Sequence, residues 1–430
     1  MKNLARHHLL LIAILLVGAG LRAIAMQDEF WLDEAWSAID VRGQTISQIY
    51  TTYVDNNHLL NSFWMRAVNN PSNWIVYRIP SVLAGIGSIA LAYTIGRRRN
   101  VACAILSALV IAISFPLLVY STEARGYSLA IFFALACYAL LLHNRWPILY
   151  WLCAILGLLS HLTFAVFLIS GVGFQPTRKK ILNFHMIPLV TLLIIYLTFA
   201  RHLKIAGGPP MQLFQVIWET ARLFAGSALL AFLLILISLI DLARRRDSRL
   251  WFYLAMLVAP LLMLLASSRP EIVYPRYFLI PATFLLLLAT EEIALVRRCA
   301  IPTALFIAFA VCNLYRDVQF IRYGRGGYLT AFNYIARNTP ANPPTVGALW
   351  LGEAGDHDTR VRRLLEFYQP YIPKKIVLLK PPMQPEWLLV TSPTPQMPMI
   401  LLDHYQFEEV FPHYGPSGWT WYLYHRAPTR

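Results

Sequence analysis

Carboxylates are scarce ahead of the C-terminal quarter of this chain, so their positions are informative. Asp28, Glu29, Asp33, Glu34, Asp40 and Asp55 all fall in one polar stretch just after the first apolar run. A segment leaving a membrane is hydrated, and Asp28, Glu29 and Asp40 call for nothing more. Asp33 and Glu34 differ because Phe30, Trp31, Leu32, Ala35 and Trp36 surround them. Carboxylates in an aromatic, interface-seeking stretch sit at the lip of a bilayer, where charge is costly unless it is used.

Three further clusters carry chemistry-bearing side chains. Asp55, Asn56, Asn57, His58 and Asn61 lead into Leu59, Leu60, Phe63, Trp64 and Met65, the pattern of a short interfacial helix with a polar first turn. A plain helix cap at Asp55 or Asn57 accounts for that cluster equally well. Ser121, Thr122, Glu123, Ala124, Arg125, Gly126 and Tyr127 lie between two long apolar runs. Glu123 and Arg125 can form the ion pair of a tight turn, but ionisable groups at such depth usually face a cavity and mark a substrate path. Tyr274, Pro275, Arg276 and Tyr277 precede another apolar run; Arg276 can snorkel, and a guanidinium is also the natural bidentate partner of a phosphate.

The elements that must position these residues are membrane helices. The chain has 430 residues, of which 57% are hydrophobic and 14% charged, with mean hydropathy +0.52. A soluble protein carries about 25% charged residues. Many runs reach the roughly 20 residues that cross an apolar core of about 30 Å. The net charge of +15 does not indicate nucleic acid, because the basic residues do not share a face. Lys2 and Arg6, Arg97 to Arg99, Arg145, Arg178 to Lys180, Arg244 to Arg246 with Arg249, and Arg297 with Arg298 fall on alternate loops, the positive-inside pattern. Cys103, Cys137, Cys153, Cys299 and Cys312 lie within or at the ends of apolar runs, and no spacing suggests a disulfide framework or zinc site. The first run, Leu9 to about Ala25, lacks a small-residue cleavage site and is expected to be retained.

With the N-terminus cytoplasmic, hydropathy and loop charge predict about eleven spans, near 9–26, 79–96, 101–119, 126–142, 147–160, 162–174, 181–199, 222–240, 250–266, 278–294 and 299–315. Two short helices meeting near His161 keep every basic cluster inside. Four pieces then lie outside: 27–78, 120–125, Arg201 to about Thr220 with Gly207, Gly208, Pro209 and Pro210, and Ser267 to Tyr277. From about Arg316 the composition becomes mixed and Pro-rich, with short β-type runs at 376–379, 387–391 and 419–424. The expected fold is an all-α polytopic membrane module over 1–315, with 27–78 as its first outer loop, and a small C-terminal extracytoplasmic α/β domain over 316–430.

These residues also carry a family resemblance. Trp31-Leu32-Asp33-Glu34-Ala35-Trp36-Ser37, Asn57-His58-Leu59-Leu60-Asn61, Tyr77-Arg78-Ile79-Pro80-Ser81, Tyr120 through Tyr127, Ser160-His161 and Pro275-Arg276-Tyr277 follow one another in the order seen in GT-C membrane glycosyltransferases. The series resembles most the bacterial protein-mannosyltransferase and aminoarabinose-transferase-like group, and it covers roughly residues 9 to 295. Many relatives have an acid, His, Pro and Pro where this chain has Asn57-His58-Leu59-Leu60, which leaves Asp55 as the nearest second acid.

The resemblance implies transfer of a sugar, hexosyl or pentosyl, from a polyprenyl-phosphate donor such as an undecaprenyl phosphate sugar. The acceptor is a lipid, a glycan or a protein at the periplasmic face of a bacterial inner membrane. It implies Asp33 as general base, with Glu34 either assisting orientation or pointing away, and Arg125, Arg276, Arg78 and Tyr277 at the departing phosphate. Asp55, Asn57, His58, Glu123, Tyr127 and His161 are expected around the substrates. No cofactor is required by this scheme, although Asp33, Glu34, Asp55 and His58 offer donors for a divalent metal ion. Membrane lipids are expected partners and nucleic acid is not. A transporter is the first alternative; it calls for Gly- or Pro-broken helices and paired halves, neither of which the sequence displays. A non-catalytic glycan-assembly subunit is the second, against which the retained Asp33, Glu34, Glu123 and Arg125 speak.

Overall fold

The structure, a computed structural model, describes residues 2–69, 73–174, 177–205, 211–265, 272–295, 300–340, 343–350, 357–380, 383–391 and 404–427. Gly207, Gly208, Pro209 and Pro210, Ser267, and Arg297, Arg298 and Cys299 lie outside the described residues. The chain forms two compact units, Met1–Met26 with Gln44–Asp317, and Gln27–Gly43 with Val318–Arg430.

The first unit is helical. In chain order, and counting one helix of the second unit, α1 spans Lys2–Ala25, α2 Leu32–Asp40, α3 Ile46–Tyr50, α4 Leu59–Val68, α5 Ile75–Arg97, α6 Val101–Ile113, α7 Phe115–Ser121, α8 Tyr127–His143 and α9 Pro147–Ser160. They continue with α10 at Phe164–Val172, α11 at Arg178–Thr198, α12 at Leu213–Ala225, α13 at Ala228–Arg244, α14 at Arg249–Leu265, α15 at Leu279–Leu295 and α16 at Ala300–Tyr323. Among the described residues five segments are long and apolar enough to cross a membrane, and two bent helix pairs pass the same test together. Each expected span contains a helix, and the short pair α9 and α10 meets at His161 as expected.

The bent pairs correct the sequence reading, which expected no helices broken by Gly or Pro. Helices α6 and α7 meet at 59°, and α12 and α13 at 86°, so the span expected at 222–240 is two helices. Pro116 has no N–H to give the carbonyl of Ala112, and the Phe115 N–H turns instead to Asn313 Oδ1 at 2.9 Å. The carbonyls so released are both taken by Arg22, whose Nη1 donates to Ala112 at 3.2 Å and whose Nη2 donates to Ile111 at 3.4 Å. At the second break Gly226 adopts φ +81°, and the Ser227 hydroxyl then caps α13 by accepting the Leu230 N–H. Arg316 Nη1 donates to the carbonyls of Arg222 and Leu223 at 3.0 and 3.1 Å, and Asn313 Nδ2 reaches that of Phe224. Asn313 therefore serves both breaks. Backbone groups freed inside a membrane must find such partners within the protein.

At the end of α5 remote from Arg78, Arg99 and Arg249 join Asp247 and Glu291 around a polar cavity of about 340 Å³. Charges of both signs offset one another there. Cys103, Cys137, Cys153 and Cys312 are free thiols.

The second unit holds α2, α17 at Tyr328–Asn338, α18 at His357–Tyr368 and a sheet of β1 (Thr345–Trp350), β2 (Val377–Leu378), β3 (Trp387–Thr391), β4 (Tyr405–Phe411) and β5 (Trp421–Arg426). The sheet order is β2-β1-β3-β5-β4, with β1 parallel to β2 and β3, and β5 antiparallel to β3 and β4. All three β-type runs of the sequence supply strands. Trp387 and Trp421 fill its core with Tyr328 and Phe332.

The segment expected as a single outer loop divides at Gly43, which takes φ +74°. Residues 27–43 belong to the C-terminal unit, because Asp28 pairs with Arg325, Phe30 stacks on Phe367 at 5.3 Å and Arg363 meets both Asp40 and the face of Trp36. Asp28 and Asp40, expected to be merely hydrated, are thus engaged. From Gln44 the chain packs on the membrane unit, where the Tyr50 hydroxyl meets that of Thr198 at 2.5 Å.

Candidate active site

The turn between α7 and α8 is the centre of a buried polar cluster in the membrane unit. Thr122 and Glu123 are fully buried in it, and Arg125 and Tyr127 nearly so. Four bonds fix its shape. Asn61 Nδ2 donates to the carbonyl of Ala124 at 2.6 Å, bringing α4 against the turn. The Ser81 hydroxyl donates to the carbonyl of Arg125 at 3.0 Å, and Ser128 returns a bond to the carbonyl of Ser81 at 2.8 Å, tying the turn to α5. Arg125 Nη2 donates to Asn56 Oδ1 at 3.0 Å. Gly126 allows the α9 end to approach, since a Cβ there would run into the Ser160 carbonyl.

Around this turn the structure gathers His58, Tyr127 and His161. The two imidazoles stack with centroids 4.7 Å apart, and Tyr127 lies 5.3 Å from His58 and 4.3 Å from His161. The Arg125 guanidinium covers the Tyr127 ring at 4.9 Å, a cation–π contact. Arg276 sits in the short helical turn Pro275–Phe278, over the rings of Tyr274 at 4.5 Å and Tyr277 at 5.7 Å. Tyr120 lies within electrostatic reach of Glu123, Arg276, Tyr127 and Arg125.

Arg125, Arg276 and Glu123 all bear on this cluster, and its imidazoles are neutral. Burial, and then the charges of Arg125 and Arg276, push His161 down to about 3. Burial, His161 and the same two arginines push His58 well below the usual histidine range. His161 Nδ1 accepts both the N–H and the hydroxyl of Thr163, at 3.1 and 2.8 Å, which leaves its proton on Nε2. The cluster therefore sets two guanidinium groups and neutral imidazole hydrogen bonders beside one buried carboxyl, that of Glu123.

An apolar cavity of about 180 Å³ runs among α12 to α16, lined by Phe224, Ile235, Leu257, Phe278, Leu285 and Phe309 among others. Phe278 follows Arg276 by two residues, so the cavity begins beside the cationic turn.

Asn57 spends its amide on the carbonyls of Ile49 and Thr52, at 2.7 and 2.8 Å, and accepts the Ser62 hydroxyl, so it staples its own loop. Its neighbour Asn56, which the sequence reading did not single out for substrate, is the one that meets Arg125. Asp55 is half-buried, with its backbone N–H on the carbonyl of Lys204 at 3.3 Å. Arg78 is fully buried and donates to the carbonyl of Met26 at the end of α1. In the second unit Asp33 and Glu34 open α2. Glu34 is fully buried and its Oε2 accepts the Trp31 N–H at 3.4 Å, a capping role. Asp33 is half-buried on the same first turn.

Among the described residues no three His, Cys, Asp or Glu side chains gather closely enough to hold a metal ion. Two guanidinium charges bearing on His58 oppose a dication there as well. The proposed chemistry runs through no metal ion. Arg22 and Asn313 are the residues sequence reasoning missed; an ionisable or amide side chain inside an apolar run was their signal.

No protein-family model and no curated protein matches this sequence. Solved structures do. ArnT from Cupriavidus metallidurans in the apo state superposes with a TM-score of 0.57 at 12% identity, covering 100% of each chain. ArnT from the same organism bound to undecaprenyl phosphate gives a TM-score of 0.53 at 12% identity, over 98% of this chain and 99% of that one. The chain has the fold of these ArnT structures, an aminoarabinose-transferase-like fold of the kind its ordered motifs led one to expect.

Proposed function

We propose that this protein is an integral-membrane glycosyltransferase that moves a sugar from a polyprenyl-phosphate donor to an acceptor hydroxyl at the extracytoplasmic face of a bacterial inner membrane. The observation that carries the reading is the convergence of Arg125 and Arg276 on two neutral histidines beside an apolar cavity. A polyprenyl phosphate has that composition, an anionic head on a long apolar tail. The likeness to a protein solved with undecaprenyl phosphate supports the same donor class.

In this scheme the isoprenoid tail lies in the cavity beyond Phe278, and the phosphate lies against Arg125 and Arg276. The acceptor oxygen attacks the anomeric carbon as Asp33 takes its proton, the bond from that carbon to the phosphate oxygen breaks, and the configuration inverts. Negative charge grows on the departing phosphate, where fixed guanidinium groups stabilise it most. Asp33 takes the base role by the resemblance of its motif, while Glu34 caps the helix through the Trp31 N–H. Asn56 and Tyr127 orient Arg125, while the Nε2 proton of His161 is available to a phosphate or sugar oxygen.

The test is turnover of a radiolabelled polyprenyl-phosphate sugar by the purified protein. Wild type should release the lipid phosphate or pass the label to a membrane lipid, glycan or protein, and Asp33→Asn and Arg276→Ala should both fold and be inactive. Wild-type turnover in both variants would remove the site assignment. A transporter is the second reading, favoured by the two broken helices. Their freed backbone groups are met by Arg22, Asn313 and Arg316 instead of lining an ion path. Substrate flux into proteoliposomes with no covalent product would establish it.

A further inference from the structure

We propose that Glu29, together with Asp28, is a positioning residue through which the C-terminal segment sets the orientation of the helix carrying Asp33. The inference rests on the assignment of Asp33 as the base.

Four consecutive residues ahead of α2 each take a different partner from the C-terminal segment. Asp28 Oδ2 accepts the Arg325 N–H at 2.8 Å and Arg325 Nη1 at 3.3 Å. Glu29 Oε2 accepts the Leu329 N–H at 2.6 Å, and its Oε1 accepts the Thr330 N–H and hydroxyl at 3.1 and 2.7 Å. The Phe30 carbonyl accepts the Tyr368 hydroxyl at 2.8 Å, and Trp31 packs edge-on against Trp419. Helix α2 begins at the next residue, and Asp33 is its second. The direction in which Asp33 leaves the helix is therefore inherited from contacts made by residues 28–31, not from α2 alone.

Glu29 is the member of this set whose charge matters most. It meets the first turn of α17, where unpaired N–H groups and the helix dipole favour a negative partner. The receiving turn, Gly324-Arg325-Gly326-Gly327, is built to admit the two carboxylates. Gly324 holds φ +60° with the Asp28 carboxylate directly against the place a Cβ would occupy. The titratable groups facing Glu29 are Asp28 and Tyr328, and Arg325 pairs with Asp28 beside them. Burial raises the Glu29 carboxyl to about 7, with the Thr330 hydroxyl and the two N–H groups opposing that rise and Asp28 adding to it. Once protonated, Glu29 keeps one carbonyl oxygen as a good acceptor, and its grip on α17 slackens. Ionised Glu29 is then the competent form, so activity falls as the pH drops through its ionisation.

The experiment is the pH dependence of kcat, with donor KM, for wild type, Glu29→Gln and Thr330→Val in the full-length protein. Glu29→Gln should lower kcat about tenfold or more at unchanged donor KM, the scale of a misplaced catalytic group, and should abolish the limb near neutral pH. Thr330→Val removes a hydrogen bond that favours the ionised form, so its limb should move to higher pH with little loss of melting temperature. A kcat profile in Glu29→Gln that keeps the wild-type limb, or a Thr330→Val profile that does not move, overturns the proposal. Full turnover in Asp33→Asn would instead remove the base assignment beneath it, whatever Glu29 does.

Discussion

The imidazole of His58 lies stacked on that of His161, centroids 4.7 Å apart and planes 28° from parallel. Two imidazoles so close, under two guanidinium groups, are both held neutral. The consequence for stability has a definite sign. Below about pH 6.5 an unfolded chain binds protons at these positions that the folded chain refuses until about pH 3 at His161, so stability is fully present above 6.5 and is lost as the pH falls. Melting temperature in detergent should therefore drop between about 6.5 and 3. In His161→Asn, whose side-chain oxygen can still accept the Thr163 N–H, the drop should be shallower; an unchanged slope would show that His161 is not held neutral.

Arg125 is fixed from two sides, by Asn56 Oδ1 and by the Tyr127 ring. A lysine cannot reproduce a planar, stacked and hydrogen-bonded guanidinium. Arg125→Lys should lower kcat/KM for the lipid donor by about 10²- to 10³-fold, the range for removing a preorganised charge stabiliser. Asn56→Ala should cost less, about tenfold, because the cation remains and only its aim is lost. Steady-state kinetics on the labelled donor decide both.

Gly126 is required by proximity and not by its backbone angles, since its φ is −75°. A methyl group there would meet the Ser160 carbonyl and come within 3.1 Å of the His58 Cβ. Gly126→Ala must push α9 away from the turn. Overpacking of this kind costs about 1–3 kcal/mol, and more when the obstacle is backbone. Thermal unfolding should register that loss, and surviving protein should have lost most of its turnover; a variant of wild-type stability and rate would contradict the packing described.

Arg22 and Asp317 lie within electrostatic reach of each other, both fully buried. Replacing Arg22 by Met strands the carbonyls of Ile111 and Ala112 and removes the positive charge that acts on Asp317. Leaving a buried acceptor unsatisfied costs about 1–3 kcal/mol. Arg22→Met should be strongly destabilised, and adding Asp317→Asn should recover part of the loss. Two additive penalties in that double-mutant cycle would mean the pair does not interact.

Much of this arrangement is legible in the sequence, for reasons that differ by residue. Glu123 and Arg125 stand out because a charge between two apolar runs has few bland uses. Trp387–Thr391 is visible as a strand because four apolar residues and a β-branched threonine follow one another, and it forms as expected. The break at Gly226 and Ser227 is harder to see, since one glycine in a membrane helix is common and only the following cap residue signals a restart. Glu29 and Asp28 look like hydrated loop acids because their partners are some 300 positions away, at separations of 297 for Arg325 and 300 for Leu329. Local composition carries no record of a contact closed by the fold. Asn56 and Asn57 illustrate the same limit at short range: adjacent, chemically identical, and distinguished only by which one the loop consumes.

The central claim is that Arg125 and Arg276 receive a lipid phosphate whose tail occupies the cavity beside Phe278. An electron cryomicroscopy map of the protein saturated with undecaprenyl phosphate tests it most directly. Phosphate density within hydrogen-bond reach of both guanidinium groups, continuous with isoprenoid density along Phe224, Phe278 and Leu285, is the result expected. Phosphate density at the opposite end beside Arg99 and Arg249, or bound while touching neither Arg125 nor Arg276, would contradict the account.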